Sequence, residues 1–270
     1  MNKKKVFRWL RLLLLIYASL GIFLYYLQDY ILLHPKKLPA SYVFPFGASF
    51  KEVNIPYNSS SRINIIQFKT SDSVVRGVVL YFHGNRDNVE RYANTAPLIT
   101  RHGYEIWMID YPGFGKSTGK FSEQTMYDWA LTFYKLARAR FKPDSIIIFG
   151  RSLGSGVAAQ LASVRDCKRL ILETPYYSMP SVFSSYAPIY PFSKIIRYQF
   201  PTWQYLQKVD APVTILHGED DGVIPLRNAK KLIAYLKAGD EFVEVPGGSH
   251  NDLYRFPEYN SKLDSILRIK

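Results

Sequence analysis

Short apolar runs alternate with longer segments of helical length through most of the chain. The runs Gly77–Phe82 and Ser145–Phe149 are nearly all apolar, which is typical of strands that a parallel sheet buries on both faces. Segments of helical length, such as Glu123–Arg140, lie between such runs. The alternation predicts an α/β domain with a mostly parallel central sheet and helices on both faces.

The series of predicted elements opens with two strands joined by a hairpin turn at Asn58–Ser61, and this pair is expected to be antiparallel. In chain order the predicted elements are strand Phe50–Tyr57, strand Arg62–Thr70, strand Gly77–Phe82, helix Asn88–His102, strand Tyr104–Asp110, helix Glu123–Arg140, strand Ser145–Phe149, helix Leu153–Val164, strand Arg169–Thr174, strand Pro212–His217, helix Leu226–Leu236, strand Glu241–Val245 and a final helix.

A long apolar segment precedes this domain. Trp9–Leu27 is apolar apart from Arg11 and a few small or aromatic residues. As a helix of about 19 residues it would be roughly 28 Å long, close to the thickness of a bilayer core. A cleaved secretory signal is the alternative, but no small-x-small cleavage site follows the run. The sequence therefore predicts an uncleaved transmembrane signal anchor at 9–27, after a basic N-terminus at 1–8.

Basic residues are more frequent before the apolar segment than after it. By the positive-inside rule, this difference predicts a cytoplasmic N-terminus and an extracytoplasmic domain, in a periplasm or lumen. The flanking basic residues are Lys3, Lys4, Lys5, Arg8 and Arg11 on one side and Lys36 and Lys37 on the other.

Two further segments depart from the α/β pattern. Residues 28–49 contain prolines at irregular intervals and are predicted to be an extended connector to the main domain at 50–270. Residues 176–210 form an insertion rich in aromatic residues and proline. The insertion leaves the sheet at the carboxyl end of a strand, where ligands bind in open α/β sheets, so we expect it to cap a pocket. The alternative is that its aromatic side chains only pack on the main core.

Composition narrows the functional classes. The chain has 270 residues, of which 47% are hydrophobic, and this is enough for one large core. The net charge of +13 includes the basic N-terminus, and basic residues are not interleaved with aromatic ones as in nucleic-acid-binding proteins. Cys167 is the only cysteine, which excludes an intramolecular disulfide and a thiolate metal cluster. We predict no metal, no organic cofactor and no nucleic-acid partner.

A serine lies at the turn between a predicted strand and a predicted helix. The motif Gly150-Arg-Ser152-Leu-Gly154 follows the apolar strand and precedes a run of small residues. A serine on such a sharp turn presents its hydroxyl beyond the sheet edge as a nucleophile. The backbone N–H of Leu153, at the start of the helix, would stabilise a negative charge developing beside Ser152.

A serine hydroxyl needs a base and an orienting carboxylate to become a good nucleophile. Two later strands end in turns that carry such groups, Asp221 in an acidic turn and His250 in a glycine-rich turn. Asp220 is the competing carboxylate. His83 and His217 are alternative bases, but each lies at the end of a strand before a glycine, where a structural role is expected.

The loop that follows the strand Gly77–Phe82 is expected to complete the site. In Tyr81–Asn85, the backbone N–H of Asn85 would be a second donor to an oxyanion, beside that of Leu153. The glycine-rich loop Asp110–Gly119 follows another strand, and its glycines predict close backbone packing next to the site.

Together these motifs resemble the α/β-hydrolase superfamily of serine hydrolases over roughly Phe50–Leu267. The superfamily carries its catalytic residues in the chain order Ser, Asp, His, which matches Ser152, Asp221 and His250. Its acidic turn has the form His-Gly-x-x-Asp-x-x-Ile/Val-Pro, and His217–Pro225 fits this form with Asp221 rather than Asp220 at the aspartate position. With its N-terminal anchor, the chain is most similar to the membrane-anchored α/β-hydrolase-domain proteins of type thirteen and their bacterial counterparts.

The resemblance implies an α/β-hydrolase fold and a catalytic triad of Ser152, His250 and Asp221. The predicted function is a membrane-anchored serine hydrolase that cleaves acyl esters or thioesters, with a small-molecule or lipid-like acyl substrate. Two other functions stay open: an amidase or peptidase, and a catalytically idle protein that binds a ligand or partner at the membrane.

Overall fold

The computed structural model describes residues 3–268, and an eight-stranded sheet lies at its centre. The strands of the sheet are β1 (Phe50–Pro56), β2 (Arg62–Phe68), β3 (Gly77–Phe82), β4 (Tyr104–Ile109), β5 (Ile146–Arg151), β6 (Arg169–Glu173), β7 (Val213–Gly218) and β8 (Glu241–Val245). Their order across the sheet is β8-β7-β6-β5-β3-β4-β2-β1.

The sheet is mostly parallel, as predicted. All pairings among strands β3 to β8 are parallel. The hairpin β1–β2 is antiparallel, and β2 also pairs antiparallel with β4. The predicted turn at 58–61 is confirmed, because Pro56 pairs with Arg62 across it.

Helices cover both faces of the sheet. The α-helices of the described residues are α1 (Lys3–Leu32), α2 (Val89–Tyr92), α3 (Ala96–Thr100), α4 (Glu123–Arg138), α5 (Leu153–Ala162), α6 (Met179–Tyr186), α7 (Phe192–Ile195), α8 (Thr202–Leu206), α9 (Leu226–Ala229) and α10 (Pro257–Arg268). Helices α4, α5 and α8 pack over one face, and α3 and α10 over the other. The predicted helix at 88–102 is broken into α2, a 3₁₀ turn and α3, because Pro97 lacks the N–H that a continuous helix would need.

Helix α1 is longer than the predicted anchor. By length and composition it can cross a bilayer, and its apolar side chains from Phe7 to Tyr26 are largely exposed. Near its C-terminal end, by contrast, Gln28 and Leu32 are buried. The segment predicted as a connector thus begins as helix, at residues 28–32.

The end of α1 is fixed to the rest of the chain. The Gln28 Oε1 atom accepts the Arg197 N–H at 2.7 Å, and Asp29 accepts the Tyr198 hydroxyl at 2.7 Å. Directly after the helix, residues 34–35 pair in parallel with residues 86–87. The end of α1 therefore contacts the aromatic insertion, and the residues directly after it pair with the loop that follows β3.

Candidate active site

Ser152 lies between β5 and α5 in a left-handed backbone conformation, with φ at 50°. A non-glycine residue in such a conformation costs on the order of 1–3 kcal/mol, so its surroundings must hold it there. The Ser152 N–H donates to the Glu173 carbonyl at 2.9 Å, and the Ser152 carbonyl accepts the Ser155 N–H at 2.9 Å. These bonds fix the turn between the strand and the helix.

The two glycines of the motif allow α5 to approach the sheet closely. A Cβ atom on Gly150 would lie 2.5 Å from the Cβ of Ala158. A Cβ atom on Gly154 would lie 2.1 Å from the carbonyl oxygen of Phe82. The glycines are therefore required by close packing, whereas the strained φ falls on Ser152 itself.

Two loops bring an imidazole and a carboxylate to Ser152. The His250 Nε2 atom lies 2.9 Å from the Ser152 Oγ atom, and the His250 Nδ1 atom lies 2.7 Å from Asp221 Oδ2. The other oxygen of Asp221 accepts the N–H groups of Val223 and Ile224, each at 2.8 Å. Asp220 is exposed on the same turn, so the structure joins Asp221, and not Asp220, to His250.

Burial and hydrogen bonds act in opposite directions on the Asp221 carboxylate. Burial disfavours its charged form, but the hydrogen bonds from His250 and the Ile224 N–H outweigh burial, so the pKa of Asp221 lies below its usual value. His217 lies behind this carboxylate, with its Nε2 atom 3.6 Å from Asp221 Oδ2. Burial lowers the pKa of His217, and the charge of Asp221 opposes this only in part.

The loop after β3 lies against Ser152. A Cβ atom on Gly84 would be 3.6 Å from the Ser152 Cβ, so the next residue, Asn85, is beside the nucleophile. The Asn85 side chain donates to the Leu32 carbonyl at 2.6 Å, and its backbone carbonyl accepts the His34 N–H at 2.9 Å. The end of α1 thus holds the loop in which the sequence predicts the second oxyanion donor.

His83, the alternative base, is turned away from Ser152. Its Nδ1 atom donates to the Gly84 carbonyl at 2.7 Å, and its Nε2 atom lies 3.3 Å from Asp110 Oδ1. The ring packs on Tyr111, with 4.2 Å between ring centroids. This geometry agrees with the structural role expected for His83.

Comparisons with known proteins agree with this fold. Residues 73–205 match the family model described as serine aminopeptidase, S33. The lysophosphatidylserine lipase ABHD12 of Danio rerio is 31% identical over 71% of this chain and 58% of its own length. The esterase Pf2001 of Pyrococcus furiosus superposes with a TM-score of 0.68 at 17% identity, over 88% of this chain and 97% of that chain.

The chain belongs to the α/β-hydrolase superfamily. A further relative, the Mycobacterium tuberculosis protein Rv2307c, is 27% identical over 88% of this chain and 85% of its own length. The predicted fold class is confirmed, and the closer similarity to the type-thirteen proteins stays a prediction.

In this hydrolase an ion pair that the sequence analysis missed supports the His250 loop. The Arg151 Nε atom lies 3.2 Å from Glu173 Oε1, and Arg151 Nη2 donates to the His250 carbonyl at 3.3 Å. Tyr259 donates its hydroxyl to Glu173 at 2.9 Å. The available signal was the presence of charged residues at the ends of two buried strands, since such residues require buried partners.

An apolar cavity of about 160 Å³ opens on one side of Ser152. It combines residues from the end of α1, the Ser152 turn and the aromatic insertion. Its apolar lining is Ile31, Leu32, Leu153, Tyr176, Met179, Val182, Phe183, Val223 and Ile224. The first residues of the insertion therefore cap this cavity. Later residues of the insertion, such as Phe200, are buried in the main core. Each of the two interpretations of the insertion thus holds for part of it. The contribution of α1 to this cavity has no counterpart among the features predicted from the sequence.

A second cavity, of about 220 Å³, also opens at Ser152 and is more polar than the first. Ser152 and His250 both line it. The remaining polar residues around it are His34, Asn85, Arg86, Arg91, Tyr92, Arg151 and Asn251. Ser152 therefore lines both an apolar cavity and a more polar one.

Proposed function

We propose that this protein is a serine hydrolase that cleaves acyl esters or acyl thioesters through a covalent intermediate on Ser152. One observation carries the proposal: the Ser152 hydroxyl, the His250 imidazole and the Asp221 carboxylate form a continuous chain of contacts of 2.9 and 2.7 Å. In this arrangement a weak nucleophile becomes reactive, because the imidazole can accept its proton and the carboxylate can stabilise the resulting imidazolium.

In the first half of the proposed reaction, Ser152 Oγ attacks the acyl carbonyl carbon while its proton passes to His250 Nε2. The carbonyl oxygen becomes an oxyanion, and the N–H groups of Asn85 and Leu153 are its proposed donors. Collapse of this intermediate breaks the bond to the leaving alcohol or thiol, which takes the proton from His250. The acyl group stays bound to Ser152 as an ester.

Water completes the proposed cycle. It attacks the acyl-enzyme carbonyl and gives one proton to His250 Nε2. A second tetrahedral intermediate then collapses, the fatty or short-chain acid leaves, and His250 returns the proton to Ser152 Oγ. No bond in this cycle requires an oxidant, a reductant or a metal ion.

The apolar cavity supports an acyl substrate. It is lined by Met179, Phe183 and Leu32 among other apolar side chains, and each buried methylene of an acyl chain contributes about 0.8 kcal/mol in such a setting. Relatives and structural neighbours described as a lysophosphatidylserine lipase and an esterase support the same class of substrate.

Peptide hydrolysis is the second candidate, because the matching family model is described as a serine aminopeptidase. An aminopeptidase binds the charged α-amine of its substrate, and a buried or half-buried ammonium requires an anionic partner. Within residues 3–268, neither of the two cavities beside Ser152 is lined by an Asp or Glu side chain. We therefore favour esters over peptides.

A fluorophosphonate probe tests the nucleophile. The wild-type protein is expected to be labelled covalently, and Ser152→Ala is expected to lose the label. Ser163→Ala, directly after the other end of α5, is the matched control and should label like the wild type, since the Ser163 hydroxyl donates to the Gln160 carbonyl, away from Ser152. An unlabelled wild-type protein would instead indicate an idle ligand-binding or partner-binding protein.

We also propose that α1 anchors the hydrolase in a membrane, with the basic N-terminus in the cytoplasm and the domain at 50–270 outside it. The exposed apolar surface from Phe7 to Tyr26 supports this, because a large exposed apolar patch requires a non-aqueous partner. A reporter that is active only in the cytoplasm, fused after residue 270, should be inactive. An active reporter would show the opposite topology, with the domain in the cytoplasm.

A further inference from the structure

The two cavities beside Ser152 bind different parts of the substrate in the proposed reaction. His250 must give its proton to the leaving group, so the leaving group has to lie on the His250 side of Ser152. His250 lines only the polar one of these two cavities, within the described residues. The apolar cavity therefore takes the acyl chain, and the polar cavity takes the leaving group. This assignment rests on the proposed function.

The polar cavity carries cationic groups that can bind a ligand. Arg86 is exposed, and within residues 3–268 no carboxylate lies within ion-pair distance of it. Arg91 is paired with Asp87 at 3.0 Å, but both side chains are about 40% exposed, so water and a ligand can compete for this pair. Arg151 is already paired with Glu173, so its side chain is held in place and lines the cavity without a guanidinium available to a ligand.

The cationic lining continues beyond the cavity. A neighbouring cavity of about 210 Å³ shares Arg91, Tyr92, Arg151 and Asn251 with it and adds Asn94 and Tyr254. In the described part of the chain, neither of these two cavities is lined by an Asp or Glu side chain. An anionic group bound there would meet guanidinium and amide donors, and the nearby Asp87 carboxylate is already paired with Arg91.

We propose that this polar cavity binds a phosphate group on the leaving alcohol or thiol of the substrate. Guanidinium groups bind phosphate oxygens through two parallel N–H bonds, which a neutral alcohol cannot accept. Arg86 supplies a guanidinium that no carboxylate of residues 3–268 pairs with, and Arg91 supplies one whose partner a ligand can displace. The substrate class is thus an acyl ester or thioester of a phosphate-bearing carrier, such as the glycerol phosphate of a lysophospholipid or the phosphates of an acyl-coenzyme A.

The experiment compares substrates that share one acyl chain and differ in the carrier. These are 1-acylglycerol 3-phosphate, neutral 1-acylglycerol and the acyl-coenzyme A, each in neutral detergent with the full-length protein. The wild type is expected to have a higher kcat/KM for a phosphate-bearing substrate than for the neutral ester. In Arg86→Ala, the ratio of these two kcat/KM values should fall about tenfold through KM, as expected for the loss of a charged hydrogen bond.

Three variants sharpen the test. Arg86→Lys should recover part of the ratio, because lysine keeps the positive charge but lacks the planar guanidinium that binds phosphate through two N–H groups. Arg91→Ala should lower the ratio less than Arg86→Ala, since its partner Asp87 already weakens its charge. Arg165→Ala, an exposed arginine at the far end of α5, is the matched control and should leave the ratio unchanged.

Each result has a defined meaning. If Arg86→Ala lowers kcat/KM more for the glycerophosphate ester, the phosphate belongs to a lysophospholipid. If it lowers kcat/KM more for the coenzyme A thioester, the phosphate belongs to coenzyme A. A ratio that stays constant in Arg86→Ala and in the double variant Arg86→Ala/Arg91→Ala overturns the phosphate site. If fluorophosphonate labels Ser152 in the same preparation, the proposed hydrolase function survives that result. Failure of labelling counts against the hydrolase itself.

Discussion

Two of the histidine–aspartate pairs at the carboxyl ends of the parallel strands, His250–Asp221 and His83–Asp110, differ in access to the cavities. His250 and Asp221 are 8% and 5% exposed, and the imidazole also reaches Ser152. His83 and Asp110 are fully buried, with 3.3 Å between His83 Nε2 and Asp110 Oδ1. The same two residue types therefore form one pair beside a cavity and another inside the core.

The buried pair has its remaining contacts within the protein. Asp110 Oδ1 accepts the Val89 N–H at 2.9 Å, and a Cβ atom on Gly115 would come within 1.9 Å of Asp110 Oδ2. The loop 110–119 thus packs closely over the carboxylate, as its glycines predicted. The pair connects three loops near the site, whereas His250, the partner of Asp221, lines the polar cavity and is open to it. Access, and not residue type, separates a candidate catalytic pair from a structural one.

The largest expected effect is on activity, in Asp221→Asn. The asparagine keeps an oxygen for the N–H groups of Val223 and Ile224, but its amide donates where His250 Nδ1 also donates, so the imidazole cannot hold the tautomer that accepts from Ser152. We expect kcat to fall by roughly 10⁴-fold. Steady-state rates on a p-nitrophenyl ester measure this loss. A fall of less than about tenfold would contradict the role proposed for Asp221.

The matched substitution in the buried pair, Asp110→Asn, should instead reduce stability. It removes the charge that faces His83 and leaves a buried amide whose hydrogen bonds to His83 and the Val89 N–H are weaker. We expect a cost of about 1–3 kcal/mol in the free energy of unfolding. Denaturant titration measures this cost. The rate per folded molecule should stay within about tenfold of the wild type. A 10⁴-fold loss of rate with unchanged stability would remove the distinction between the two pairs.

The smallest expected effect concerns pH and the third histidine, His217. Burial keeps its pKa below the ordinary value of about 6.5, so the unfolded chain gains a proton before the folded protein does. Its contribution to stability is complete above pH 6.5 and declines as pH falls below that value, by at most about 1.4 kcal/mol per pH unit. The lowered pKa of Asp221 acts in the same direction near pH 4 and below.

Denaturant unfolding at pH 7.5 and pH 5.5 tests this effect. The wild type should lose more stability between the two values than His217→Asn, whose amide can still donate to the Gly218 carbonyl that His217 Nδ1 contacts at 2.9 Å. Equal losses in the two proteins would show that His217 is not held neutral by burial.

Local patterns along the chain predicted the strands, the two-faced helical cover, the hairpin and the turns that carry Ser152, Asp221 and His250. These features were accessible because each depends on neighbours in the sequence. A buried parallel strand requires a short apolar run, and the turn before α5 requires small residues where the helix meets the sheet.

What the sequence did not reveal depends on segments far apart in the chain. The contact of Arg151 with the His250 carbonyl joins residues 99 positions apart, and that of Asn85 with the Leu32 carbonyl joins residues 53 apart. The difference in polarity between the two cavities also arises only when α1, the insertion and the loop after β3 meet around Ser152. The sequence by itself determined the fold class and the residues able to react. The tertiary structure decided which groups surround them, because packing between distant segments depends on the summed shapes of many side chains, and no local pattern encodes that sum.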